Sequence, residues 1–542
     1  MSLTNRLNSS DRQFVFILSL VAIVITTIPI IIGYFFAART DQVVSGLHSL
    51  TPADTNVYFA YINRIKNSSF FLTNQFNFTP QPFGLFNLFW LMIGLFARLF
   101  HLSALVAFHL SRIVLIPILV YCLYRLSLTI IKDNFWSRLT AIAITFSSGL
   151  GIYLNFLHDD RNNIYYRPLD LWMPEITVFN TLFHTPHFIA ATILIVAIFY
   201  FFLRATAQNR FRSSLTAGLL ALILFNFHPY HFPLIYCAAL AYSFYLLLEK
   251  RATFLALLSH FALLFFLSVP AVIYHLYTLS DPIIAARAAQ NFTMNSPLIF
   301  TVIGLGLPFF GFWLGSYSEF KSNTSPSHVF LFIWFTVGLL LSFVPDWQFG
   351  RRSLHSISIP AVILSITWFQ SICARYHVDL KSIINRHPMA IVMFFITVLA
   401  PTSFFNLSRD IKLYLNNHPL FYYSSAKDQA LSQLNNLHGK NIMASDVNSN
   451  FIVGHSDKNV FWGHDHESID SANKKRLQAE IFSGQLPSDR LQSELKFLSV
   501  DYIWWDQFEK KIYPNFNPDQ YQFLHPIIQN STVVIYEFTP AQ

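Results

Sequence analysis

The chain has 542 residues, 54% of them apolar and only 12% charged, with a net charge of +8. Soluble domains carry about a quarter charged residues, so this composition excludes an ordinary soluble enzyme and points to a surface that mostly meets lipid. The positive balance is no nucleic-acid signature, because the basic residues sit in short loops between apolar runs, and Cys122, Cys237 and Cys373 all lie inside such runs and spell no disulfide framework.

The first apolar run, residues 14–38, is too long for the hydrophobic stretch of a cleaved signal and reads as an anchor helix. A span needs about 20 apolar residues. Runs that meet this begin near Phe14, Ser103, Ser137, His187, Ser213, His231, Thr253, Pro297, His328, Ser353 and Met389, which predicts about eleven spans. One further stretch, residues 81–100, could span or lie flat; it holds Asn87, Arg98 and several aromatics.

Loop charges separate the two readings. With 81–100 flat on the surface, twelve Lys and Arg, from Arg125 and Lys132 to Lys381 and Arg386, fall on one side. In the loops after residue 102, Arg161, Arg167, Arg287, Arg351 and Arg352 fall on the other. Basic loops stay in the cytoplasm. The N-terminus is therefore expected inside, and the long polar loops 39–80, 158–186, 277–296 and 346–352 outside.

Beyond about residue 406 the sequence turns polar. Short apolar strands are predicted at 441–445, 459–462, 502–505 and 533–538, with helical patterns at 473–482 and 488–498 between them. The expected architecture is mainly α. A polytopic bundle over residues 1–405, with its first outer loop and interfacial helices at 39–102, is followed by a small α/β extracytoplasmic domain over 406–542, in a multi-pass protein of the plasma membrane. No glycine-rich phosphate loop and no internal repeat is visible.

The residues fit for chemistry cluster in the loops placed outside. Asp54, near a predicted helix start after Pro52, suits a general base on a hydroxyl and equally a helix cap. In His158-Asp-Asp-Arg-Asn162 the carboxylates Asp159 and Asp160 suit a divalent cation, Mg or Mn, or a capped loop end. Glu175 adds a second acid, and His184 and His187 suit a phosphate or sugar hydroxyl, or an interfacial anchor. His228-Pro-Tyr-His231 sets Tyr230 between two histidines; substrate contact or a structural hydrogen bond fits better than zinc, for which no further ligands stand at metal-site spacing. Arg351 and Arg352 open a helix on the side the charge rule disfavours. A guanidinium pair clamps a phosphate through bidentate hydrogen bonds; pairing with Asp346 or anchoring to headgroups is the alternative. Arg112, early in the second span, is a weaker candidate of the same kind.

Taken together, these features resemble the GT-C glycosyltransferases that use polyprenyl-phosphate sugars. The likeness rests on Asp54 with Tyr58, on Pro174-Glu175 and Thr185-Pro-His-Phe188, on Asn226-Phe-His-Pro-Tyr230, and on Arg351-Arg352 followed by Ile359-Pro360. In the tail it rests on Met443-Ala-Ser445, Val460-Phe-Trp-Gly-His464 and Val500-Asp-Tyr-Ile503. The resemblance implies a lipid-phosphate sugar donor, Arg351 or Arg352 on the leaving phosphate, Asp54 as base, and Asp159, Asp160 or Glu175 positioning the acceptor or a cation. It also implies inversion at the anomeric carbon. The acceptor, whether glycan, lipid or protein, stays open. Trp504-Trp505-Asp506 matches the start of the oligosaccharyltransferase signature, but Gln507-Phe508 follow in place of Tyr-Gly, and the segment reads as a core strand. A flippase for lipid-linked sugars or a ligase for whole glycans would share the spans and the arginines.

Overall fold

A computed structural model describes residues 7–67, 69–81, 84–157, 164–293, 295–321 and 325–540. The chain divides into two compact units. The first comprises Met1–Pro29, Leu110–Leu276 and Phe292–Ile411, and the second Ile30–His109, Tyr277–Asn291 and Lys412–Gln542.

The first unit is helical. Among the described residues of the whole chain, six helices are long and apolar enough to cross a membrane: Ser9–Ala37, Ala104–Ile131, Pro186–Gln208, Pro229–Leu248, Phe254–Thr278 and Gly350–Arg375. Three bent pairs raise the number to nine if each counts as one span. These are Asn134–Phe146 with Gly151–Leu157, bent by 42°; Leu298–Leu305 with Leu307–Lys321, by 87°; and Leu380–Arg386 with Pro388–Leu399, by 105°. All eleven apolar runs fall on helices. Those at Ser213 and His328, however, form Phe211–Phe227 and Pro326–Ser342, each 17 residues, short of a full crossing at 1.5 Å per residue. Hydropathy alone does not register such breaks. Gly306 bends the second pair, its φ of 61° being left-handed and open to glycine, and Pro388 starts a new helix in the third.

Small residues bring two of these helices close. A Cβ on Gly311 would lie 2.4 Å from the Ser365 hydroxyl, and one on Gly315 2.3 Å from the Leu364 carbonyl, so the helix Leu307–Lys321 packs backbone-near against Ser358–Arg375.

The second unit is built on a sheet. Strands β1 (Gln42–Val44) and β2 (Tyr422–Ser424) pair antiparallel. Five more, β3 (Asn441–Met443), β4 (Asn459–Val460), β5 (Tyr502–Asp506), β6 (Leu524–Gln529) and β7 (Val533–Phe538), form a sheet of order β4-β3-β5-β7-β6. β3 runs parallel to β4 and β5, while β7 runs antiparallel to β5 and β6. Strand β5 is buried along its whole length because its alternating side chains enter two cores. Tyr502 and Trp504 join the cluster around Leu431, Leu434 and Ile452; Ile503 and Trp505 join the one around Phe482, Leu491 and Phe516. Val57 and Ala60 of the helix Pro52–Lys66 complete the first of these cores. The first loop is thus part of the folded unit that holds the tail, and the composition change at 406 falls inside the helix Pro401–Leu415. The helix Leu88–Leu99, at 12 residues, is too short to span. It packs on Pro52–Lys66, where a Cβ on Gly94 would meet the Ile65 side chain at 2.5 Å.

Candidate active site

Arg351 and Arg352 lie on the 3-10 helix Gly350–Leu354 in the first unit. The Arg351 backbone N–H donates to the Thr293 carbonyl at 3.2 Å. Its guanidinium carbon sits 4.8 Å from the Trp172 ring centre and 5.7 Å from that of Tyr165. Arg352 lies over Phe188 at 5.6 Å and over Tyr230 at 5.8 Å, and it pairs with Glu175. Stacking engages the face of a guanidinium and leaves its donors in the plane, so the rings fix the direction in which each fork points. Glu175 is 2% exposed. A carboxylate that deep persists as an ion only with a partner, which Arg352 supplies.

Behind the arginines stands a histidine cluster. His187, His228 and His231 are buried, as is His184 at the end of the helix Val178–His184. The His187 Nδ1 and the Thr185 hydroxyl are 2.7 Å apart, and the His228 ring stacks on that of His231 at 5.3 Å. His355, which the sequence reading left out, fixes the protons. The Thr192 hydroxyl donates to the Phe188 carbonyl at 2.9 Å and therefore accepts from His355 Nε2–H at 2.8 Å. His355 Nδ1 is then the acceptor for His231 Nε2–H at 3.0 Å. The chain of bonds uses neutral imidazoles at His231 and His355. Arg112 is fully buried and donates to the carbonyls of Thr26 at 3.1 Å and Leu182 at 3.2 Å, and to the Thr27 hydroxyl at 3.1 Å.

Asp54 belongs to the second unit. It is the third residue of the helix Pro52–Lys66, whose N-cap is Thr51, so it does not occupy the cap position. Its side chain is 38% exposed, and Oδ1 accepts from His464 Nε2 at 3.0 Å, with the His464 side chain 7% exposed beneath it. His464 sits in a tight loop after β4. The N–H groups of Gly463 and His464 both donate to the Ser468 hydroxyl, and those of Glu467 and Ser468 donate to the His464 carbonyl. Arg287, on the helix Pro282–Gln290, grips this loop through Glu467 at 2.6 Å and reaches the Tyr61 hydroxyl at 2.5 Å. Gln290 donates to the Ser468 carbonyl at 2.8 Å. His464, Glu467 and Arg287 were not candidates from sequence. The signal was present in Gly463-His-Asp-His-Glu467, a run of titratable groups directly after a strand.

Asp159 and Asp160 lie outside the described residues. Among the described residues no group of three or more His, Cys, Asp or Glu is placed to hold a metal ion.

No family model and no curated protein matches the sequence. Solved structures do. The oligosaccharyltransferase of Archaeoglobus fulgidus in its apo form aligns with a TM-score of 0.57 at 12% identity, over 91% of this chain and 69% of that one. The same organism's oligosaccharyltransferase AglB, in complex with an inhibitory peptide and a dolichol-phosphate, aligns at 0.55 and 12%, over 93% and 70%. A mutant of the arabinofuranosyltransferase AftD from Mycobacteria aligns at 0.50 and 11%, over 98% of this chain and 42% of that one. The chain has the GT-C fold and is an integral membrane protein.

Proposed function

We propose that this chain is a membrane glycosyltransferase that moves a sugar from a polyprenyl-phosphate donor to an acceptor at the outer face of the membrane, with inversion. The observation that carries the reading is the adjacent pair Arg351 and Arg352, each held against aromatic rings, in a chain of GT-C fold. The dolichol-phosphate in complex with the archaeal relative supports a lipid phosphate as the ligand class. The bias of basic residues to one set of loops supports the orientation, with the N-terminus cytoplasmic and the tail outside.

In this reading the acceptor oxygen attacks the anomeric carbon. Asp54 takes the acceptor's proton, the bond between the anomeric carbon and the phosphate oxygen breaks, and the polyprenyl phosphate leaves with the electron pair. Arg351 and Arg352 stabilise the charge that builds on that phosphate, and donors placed in advance at developing charge are usually the largest catalytic contribution. Glu175 holds Arg352 in place. Tyr230, His187 and His228 contact the sugar, His184 and His231, which have no exposure, support them from within the cluster, Arg112 braces the bundle beside them, and Asp159 and Asp160 orient the acceptor.

Purified full chain incubated with a labelled polyprenyl-phosphate sugar should release sugar from lipid. Asp54→Asn should abolish release in a chain that still folds, and Arg351→Ala or Arg352→Ala should lower kcat by about a hundredfold or more. Release at the wild-type rate by Asp54→Asn would remove Asp54 from the mechanism. The oligosaccharyltransferase likeness favours a second reading, transfer of a whole glycan. Against it, Gln507 and Phe508 follow Trp504-Trp505-Asp506, and Asp506 is spent capping a helix through Phe508 and Glu509. Transfer from a lipid-linked oligosaccharide, with none from the single-sugar donor, would decide for it.

A further inference from the structure

Resting on the reading of Asp54 as base, we infer that His464, carried by the tail, is the positioning residue that sets the orientation and charge of that carboxylate. The protons follow from the hydrogen bonds. His464 Nδ1 accepts from the His466 backbone N–H at 3.2 Å, so the neutral ring carries its proton on Nε2 and donates it to Asp54 Oδ1 at 3.0 Å. A ring free to turn would not keep this tautomer. Here the ring is buried, packs at 5.8 Å against Phe76, and stands on a loop cross-bonded through Ser468. The loop is in turn anchored by three contacts: Arg287 and Gln290 of the helix Pro282–Gln290, and the Asn74 amide, which donates to the Glu467 carbonyl at 2.7 Å. The other charged groups on this loop are Asp465, His466 and Glu467, and Glu467 is neutralised by Arg287.

A carboxylate that accepts a fixed N–H at one oxygen loses rotation about its last torsion and favours its ionised form. Accepting such a hydrogen bond makes any carboxylate a weaker base. In return it holds the group charged and aimed, which is what a base on an alcohol needs when it must be ready before the substrate arrives.

The test is the pH profile of sugar transfer by the full chain. In His464→Ala, kcat should fall at least tenfold with KM little changed, and the acidic limb of the kcat/KM profile should move up by about one pH unit. His464→Gln, whose amide nitrogen reaches the Nε2 position, should return the limb to its wild-type place and keep most of kcat. A folded His464→Ala with the wild-type limb overturns the inference. If His464→Ala does not fold, His464→Gln decides alone: kcat within about threefold of wild type supports the role, and a hundredfold loss refutes it. A substrate-free measurement separates this claim from the transferase reading. Carbodiimide labelling of Asp54 against pH, read by mass spectrometry, should fall off at lower pH in wild type than in His464→Ala, whether or not the chain transfers sugar. Coincident curves sink the positioning role.

Discussion

Asp170 is a carboxyl with no exposure in the first unit, on the short turn Leu169–Leu171. Burial drives its pKa up to about 7, against the opposing hydrogen bonds from the Thr402 hydroxyl and the Gly151 backbone. A folded-state pKa above the unfolded value means that the native chain holds the extra proton. Asp170 therefore favours folding at low pH, and that contribution is lost as pH rises from about 4 towards 7. The slope is up to about 1.4 kcal/mol per pH unit. Thermal unfolding of the detergent-purified chain should show a midpoint that falls across this window, and Asp170→Asn should flatten it. An equal slope in the variant would mean that another group titrates. Single residues of this kind differ in how far the sequence announces them. Arg351 and Arg352 stood out because they break the charge rule in a short window. Asp170 sits in an apolar stretch, Leu169-Asp-Leu171, and carries no local mark. His464 is 410 positions from the carboxylate it serves, and no spacing rule reaches so far.

At the level of elements, the apolar runs located helices well and their breaks poorly. The stretch from residue 297 reads as one continuous apolar run, yet it bends by 87° at Gly306. A turn needing a left-handed residue costs nothing in hydropathy. Strands β3, β4, β5 and β7 were legible as short apolar runs. Strand β6 was not, because Pro526 and exposed side chains interrupt it; it lies at the sheet edge, where a missing donor is tolerated and a bulge absorbs the irregularity. Helix contacts set by glycines lend themselves to a direct test. Gly315→Leu would drive a side chain into the Leu364 backbone from 2.3 Å, where no rotamer gives relief. Overpacking of this kind costs about 1–3 kcal/mol. The unfolding midpoint should drop for Gly315→Leu and less for Gly315→Ala, whereas Leu314→Ala, on the exposed side of the same helix, should leave it near wild type.

For the molecule as a whole, the division of labour between loops and tail was the least legible feature. Composition separates residues 406–542 as a polar domain. The fold instead gathers 30–109 and 277–291 with the tail in one unit. The reason is packing. The helix Pro52–Lys66 has too few apolar positions to fold alone, and it finds its core in the tail, where Val57 and Ala60 meet Leu431, Leu434, Ile452 and Trp504. Asn63 also donates to the Gly454 carbonyl at 2.9 Å. The base proposed for catalysis thus stands on a helix whose order depends on a sheet nearly four hundred residues later. Leu434→Asp places a charge in that core, at a site with no exposure in the native chain. It should loosen the helix as well as the tail, so limited trypsin should cut after Arg64 and Lys66 at least about tenfold faster than in wild type, because cleavage tracks the population of the open form. A tail that were only appended would let Leu434→Asp speed cleavage at its own lysines while residues 52–66 stayed as resistant as before. That outcome would also take away the physical basis for assigning His464 a part in setting Asp54.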